Sequence, residues 1–169
     1  MDEESKASYA ASSAQGFEDD RAAEITEMRA AAEKAIQLDP LLAEAHEALG
    51  MEYGSDGQWV QAEKSFHRAI ELDASNSQSY DDFSTWLLLP LDRIEEAVWQ
   101  MRLAAKADPL SSFIQQRLAF MLISAGRYDE AAALCGMAAE CMVRAQLGQG
   151  RIDEAIQALS TMKKPRYLG

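Results

Sequence analysis

From about Glu18 to Met162 the apolar residues recur at three- and four-residue steps, the spacing that lines one side of a helix. The first such segment, about Glu18 to Leu38, carries Ile25, Met28, Ala32, Ala35, Ile36 and Leu38. Asp39-Pro40 stops it, because proline pushes the residue before it out of helical geometry. Two helices are predicted next, about Leu42 to Gly54 and Gln58 to Asp73, with Gly57 at the turn. A further unit runs from about Ser77 to Leu110. Its first helix carries Tyr80, Phe83, Trp86 and Leu87 and ends at Pro90, with one extra residue expected in the turn. Its second carries Ile94, Ala97, Val98, Met101 and Ala104 and stops at Asp108-Pro109. The next unit opens with Ile114, Leu118, Met121 and Leu122, turns at Gly126, and continues with Tyr128, Ala131 and Leu134. A last helix spans about Ile152 to Met162 and should cap the array. There Lys163-Lys164 meets its negative end and Pro165 terminates it.

The units repeat. Gly126-Arg127-Tyr128-Asp129-Glu130-Ala131 recurs as Leu91-Asp92-Arg93-Ile94-Glu95-Glu96-Ala97 and as Gly57-Gln58-Trp59-Val60-Gln61-Ala62, with the alanines 35 and 34 residues apart. Such an interval marks a solenoid of helix pairs, with about four repeats here, the first and last atypical. The signature returns at Gly150-Arg151-Ile152-Asp153-Glu154-Ala155, but only 24 residues after Ala131. Residues 127–135 and 138–148 therefore read as two short helices kinked near Gly136. The alternative is one long helix that tolerates Gly136 at a cost of about 1 kcal/mol.

Within the second unit, Leu49-Gly50, Tyr53, Ala62, Phe66 and Ala69 resemble the fingerprint of the tetratricopeptide repeat. His46 stands where that family usually has a large apolar residue, and Ala74 where it has proline. The resemblance implies an all-α, right-handed superhelix of helix-turn-helix repeats over residues 18–162. It would be flanked by a frayed or disordered segment 1–17 and a basic tail 163–169. It further implies that the first helix of each pair lines a concave groove. The residues so placed are Glu44, Glu47, Met51 and Ser55, then Gln78, Asp81, Thr85 and Leu88, then Phe113, Gln116, Phe120 and Ile123. This set shifts from acidic to apolar. It lacks the Lys and Asn pattern by which chaperone-binding members hold a terminal carboxylate. A non-catalytic scaffold is implied, binding a protein or peptide segment with a basic part and an apolar anchor. More narrowly, the runs Ala35 to His46 and Ala107 to Ile114 look like repeat regions of bacterial signalling proteins, in which such arrays adjoin DNA-binding, cyclase or kinase domains. On that likeness the chain would be a sensing or docking arm.

Charge sharpens the expectation about partners. The formal net charge is -12, of which residues 1–110 carry all the excess acid, while residues 111–169 hold 5 acids and 7 bases. An acidic front repels nucleic acid and anionic membrane, so neither is expected as a direct partner. No apolar run approaches the roughly 20 residues that span a bilayer, and Met1-Asp2-Glu3-Glu4 is unlike a secretory leader, so a soluble cytoplasmic protein is expected. No HExxH, P-loop, GxSxG or CxxC motif is present, and neither catalytic residues, metal nor cofactor is expected. His46 reads as packed between helices and His67 as solvent-facing. Cys135 and Cys141, six apart, fall on different faces of a single helix and read as small buried apolar residues. A homodimer through the C-terminal end follows if that end face is apolar.

Overall fold

The computed structural model describes residues 27–135 and 139–162. The expected N-terminal segment 1–17, the start of the first helix, the Gly136 kink itself and the basic tail lie outside the described residues. Within them every regular element is helical: α1 over residues 27–38, α2 Ala43–Ser55, α3 Trp59–Leu72, α4 Ser77–Phe83, a π-helical turn Ser84–Leu88, α5 Ile94–Ala107, α6 Ser112–Ser124, α7 Tyr128–Cys135, α8 Ala139–Gly148 and α9 Ile152–Met162.

Side chains and turns set the helix limits. The Asn76 side chain accepts from the Gln78 amide at the start of α4, and Ser111 accepts from the Ile114 amide at the start of α6, satisfying donors that a helix leaves open. Each pair turns through a left-handed residue: Gly57, Gly126 and Gly150 at φ 69°, 72° and 75°, and Asp92 at φ 56°. The next amide then reaches back five residues at every turn. Gln58 donates to Tyr53, Arg93 to Leu88, Arg127 to Leu122 and Arg151 to Gln146, at 2.8–2.9 Å. The extra residue of the third unit does not sit in the turn, as the sequence had suggested. From cap to left-handed residue the units Leu42–Gly57 and Ser111–Gly126 match, while Asn76–Asp92 is one longer. The π-helical turn at Ser84–Leu88 absorbs it, since one widened turn holds an added residue without breaking the helix.

The four alanines of the repeat signature, Ala62, Ala97, Ala131 and Ala155, are each 0% exposed and let the helices approach closely. A continuous core runs from Phe66 through Phe83, Leu87, Met101, Ile114 and Met121. The pairs are α2/α3, α4/α5, α6/α7 and α8/α9, with α1 ahead of them. Arg29 of α1 ion-pairs with Asp56 and lies over the Tyr53 ring, 5.1 Å from its centre. The short interval before Ala155 is also accounted for. α7 and α8 are separate helices, shortened to 8 and 10 residues. They fold back on each other, because Gly148 at the end of α8 meets the Tyr128 ring at the start of α7. A Cβ on Gly148 would come within 2.2 Å of that ring.

The cysteine reading needs correction. Cys135 and Cys141 form a disulfide across the α7–α8 break, with Cα atoms 5.4 Å apart. The argument about faces applies to a single helix, whereas the short interval before Ala155 predicts two. Once the helix breaks between them, the chain reversal brings their Cα atoms within bridging range.

Curvature follows from which helices touch. Successive first helices, α2, α4, α6 and α8, contact one another. Among the described residues the backbones of successive second helices, α3, α5, α7 and α9, stay farther apart, and α5 reaches α7 only through long side chains such as Arg102 and Glu130. The stack is therefore concave on the side of the first helices.

Candidate functional site

The concave trough is built from the exposed sides of α2, α4, α6 and α8, and its two ends differ. At the α2/α4 end the acidic residues are largely occupied within the fold. Glu47 is half-buried and accepts from Asn76 Nδ2 at 3.2 Å and from the Ser79 hydroxyl. Asp81, only 3% exposed, accepts from Arg117 Nε at 2.7 Å, which ties α4 to α6. The same guanidinium donates to Thr85 Oγ1. Met51 is half-buried against the core, and Leu88 is fully buried, so Leu88 belongs to the core and not to the trough surface. Glu44 and Gln78 stay exposed, with Gln78 donating to Asp82 Oδ1 at 3.2 Å, and Ser55 is exposed at the end of α2.

The α6/α8 end is open and apolar. Phe113 and Phe120 are 52% and 37% exposed, and with Gln116 and Ile123 they line a hollow of about 440 Å³. Its far wall comes from α8: Glu140, Cys141 and Arg144. Phe113, Gln116 and Phe120 thus line one hollow, whereas Asp81 and Thr85 are enclosed by Arg117. The sequence reading missed Arg117 and the α8 wall. Arg117 had a signal, a base standing 36 residues after Asp81, about one repeat. The α8 wall had none, because its position depends on the break before it. A second, polar hollow of about 700 Å³ lies at the α6–α7 and α8–α9 turns, bounded by Tyr128, Asp129, Gln149 and Arg151.

Electrostatics bear on stability more than on chemistry. Burial pushes Asp82 up to about 6 from the ordinary carboxylate range, with Glu47 and Asp81 adding repulsion, while the Gln78 hydrogen bond and Arg117 act against it. The folded chain keeps a proton on Asp82 that the unfolded chain releases near pH 4. Stability therefore falls as pH rises through that window, from about 4 to about 6. Asp82→Asn, which can still accept from Gln78, should flatten this slope in urea titrations and stabilise the chain at pH 7 by up to about 2 kcal/mol. His46 is half-buried with Nε2 3.1 Å from the Pro40 carbonyl, and His67 is exposed with its ring at a steep angle to that of Phe83, centroids 5.1 Å apart. Among the described residues no cluster of potential metal ligands occurs, and no helix is long and apolar enough to cross a membrane.

This architecture is the tetratricopeptide-repeat fold, and solved structures agree. A MamA crystal structure superposes with a TM-score of 0.68 at 19% identity, over 91% of this chain and 92% of that one. PilF of Pseudomonas aeruginosa gives 0.66 at 17% identity, over 92% and 75%. YrrB, described as a TPR protein with an unusual peptide-binding site, gives 0.64 at 19%, over 88% and 82%. At these identities the likeness establishes the fold. No protein-family profile matches the sequence, and no curated protein sequence is similar to it.

Proposed function

We propose that the chain is a non-catalytic docking scaffold that holds a segment of a partner protein in the trough of its first helices. The observation that carries this is the hollow at the α6/α8 end, where two phenylalanines stand open to solvent on the concave side. Exposed aromatic rings flanked by polar groups suit an apolar anchor residue. At the other end of the trough the exposed Glu44, with Glu47 partly accessible, favours basic residues elsewhere in the same segment. The peptide-binding site named for YrrB supports the reading by analogy of fold.

The test is selection of peptides by display against the full chain, followed by calorimetric titration. The selected sequences should pair an aromatic or aliphatic anchor with Lys or Arg. Phe113→Asp with Phe120→Asp should weaken binding at least about tenfold. Glu44→Lys should have a smaller effect and reduce the salt dependence. Unchanged affinity in the phenylalanine variant would place binding elsewhere.

A second reading rests on the runs Ala35 to His46 and Ala107 to Ile114, which join a second helix to the following first helix at equivalent points. Their likeness to bacterial signalling proteins supports a docking arm that regulates a DNA-binding, cyclase or kinase partner. The Cys135–Cys141 disulfide bears on location: such bonds persist in oxidising compartments and are rare in the cytoplasm, which weighs against the cytoplasmic expectation. The apolar C-terminal end favours self-association.

A further inference from the structure

The α8 wall of the docking hollow is tied to the stack by a covalent bond. Cys141, in the first turn of α8, lines the hollow beside Glu140 and Arg144. Its sulfur is bonded to that of Cys135 at the end of α7. Cys135 stands four residues after Ala131, in register with Phe66 after Ala62 and Met101 after Ala97. Phe66 and Met101 are 0% exposed and Cys135 is 3% exposed. One end of the bond is therefore set in the core and the other in the wall.

The two ends of α8 are held differently. At the far end Gly148 packs on the Tyr128 ring, and Gln149 donates to Asp129 Oδ1 at 2.7 Å. Midway, Val143 and Ala145 are buried. Among the described residues, no hydrogen bond or ion pair joins the first turn of α8 to α6 or α7. Arg144 donates to Glu140 at 2.8 Å, a bond that stays within α8. The disulfide is thus the link that sets where the hollow end of α8 lies against α7. The bond is also reachable. Cys141 is half-buried and faces the hollow, whereas Cys135 is enclosed, so an attacking thiolate meets the Cys141 sulfur.

We propose that the Cys135–Cys141 bond is a redox switch for the hollow. This rests on the docking reading and adds its regulation. A dithiol reductant attacks the Cys141 sulfur, the bond to Cys135 breaks, and Cys135 leaves as a thiolate that takes up a proton. The second thiolate of the reductant then attacks the mixed disulfide and releases Cys141. Two electrons and two protons pass to the chain, which gains two thiols, and the dithiol becomes a disulfide. A disulfide oxidant reverses the exchange. After reduction Cys135 remains a small apolar residue in the core, so the stack stays folded. The first turn of α8 loses its tie, and a bound segment must then order the wall that the disulfide had held in place.

Thiol titration of the unfolded full chain, purified under air, should find no free thiol, and two after dithiothreitol. Amide exchange of the chain without peptide should quicken in α8 on reduction and stay unchanged in α2 to α5. A cysteine-free peptide selected by display on the oxidised chain should bind the reduced chain at least about tenfold more weakly, and reoxidation should restore the affinity. Cys135→Ala with Cys141→Ser should bind as weakly as the reduced chain, be indifferent to dithiothreitol and keep the far-ultraviolet circular dichroism spectrum. Two free thiols under air, equal exchange of α8 in both forms, or equal affinity in both forms overturns the switch and leaves the docking reading standing. Binding in neither form overturns the docking reading, and the switch falls with it.

Discussion

Phe66→Ala is expected to destabilise the chain by about 3–5 kcal/mol, seen as a lower urea midpoint with an unchanged slope. The ring is fully buried and stacks on Phe83, centroids 5.5 Å apart, so it joins α3 to α4. It also fills the space that Gly50 leaves in α2, where a Cβ would lie 2.8 Å from the ring. One side chain therefore links three helices across two repeats. In a quasi-linear array each unit leans on its neighbours, and a loss at such a point propagates along the stack. The geometry also predicts coupling. Gly50→Ala should destabilise the natural sequence by crowding the ring, and should cost less in the Phe66→Ala background, where the ring is gone. Additive effects would mean that the two residues do not share one space.

Arg117→Ala is expected to cost about 2–3 kcal/mol, through what it leaves behind more than through the bond it removes. Asp81 is 3% exposed, and Arg117 is the cation bonded to it. Without the guanidinium that carboxylate is buried unpaired beside Asp82. The partial exposure of Arg117, 26% of its side chain, admits some water and keeps the cost below that of a fully enclosed pair. Adding Asp81→Asn should recover part of the loss, as a double-mutant cycle would show. Of the other pairs that join successive units, Glu63–Arg93 is more exposed and removing it should cost about 1 kcal/mol or less, while Arg102–Glu130 lies at the surface and its removal should have little effect.

The periodic parts of the chain were legible and the irregular parts were not. The limits of α2, α3, α5 and α6 were readable because proline, glycine and apolar spacing mark them redundantly. The four buried alanines were readable because close helix approach admits few other residues. The π-helical turn was not, since an inserted residue can widen a helix or lengthen a loop and leaves the same count in the sequence. Asp92 hid its turn because it takes a left-handed conformation that glycine adopts at the three equivalent points. The disulfide was missed for a related reason: the break near Gly136 is predicted by the short interval, but how closely α8 returns to α7, which brings Cys135 to Cys141, is not.

The trough was legible in part. The resemblance to the tetratricopeptide repeat assigned Phe113, Gln116 and Phe120 to the trough, yet neither it nor helical phase could show that Arg117 encloses Asp81 and Thr85. Burial of charge depends on a partner one repeat away, which phase within one helix does not report. The apolar end of the trough consequently carries more of the docking proposal than the acidic end.

Amide hydrogen exchange of the full chain, with and without a display-selected peptide, tests the docking proposal most directly. Slowed exchange should map to α6 and α8, extending into α4, while α3 and α5 stay unchanged. Protection confined to the second helices, or no protection at saturating peptide, would contradict it.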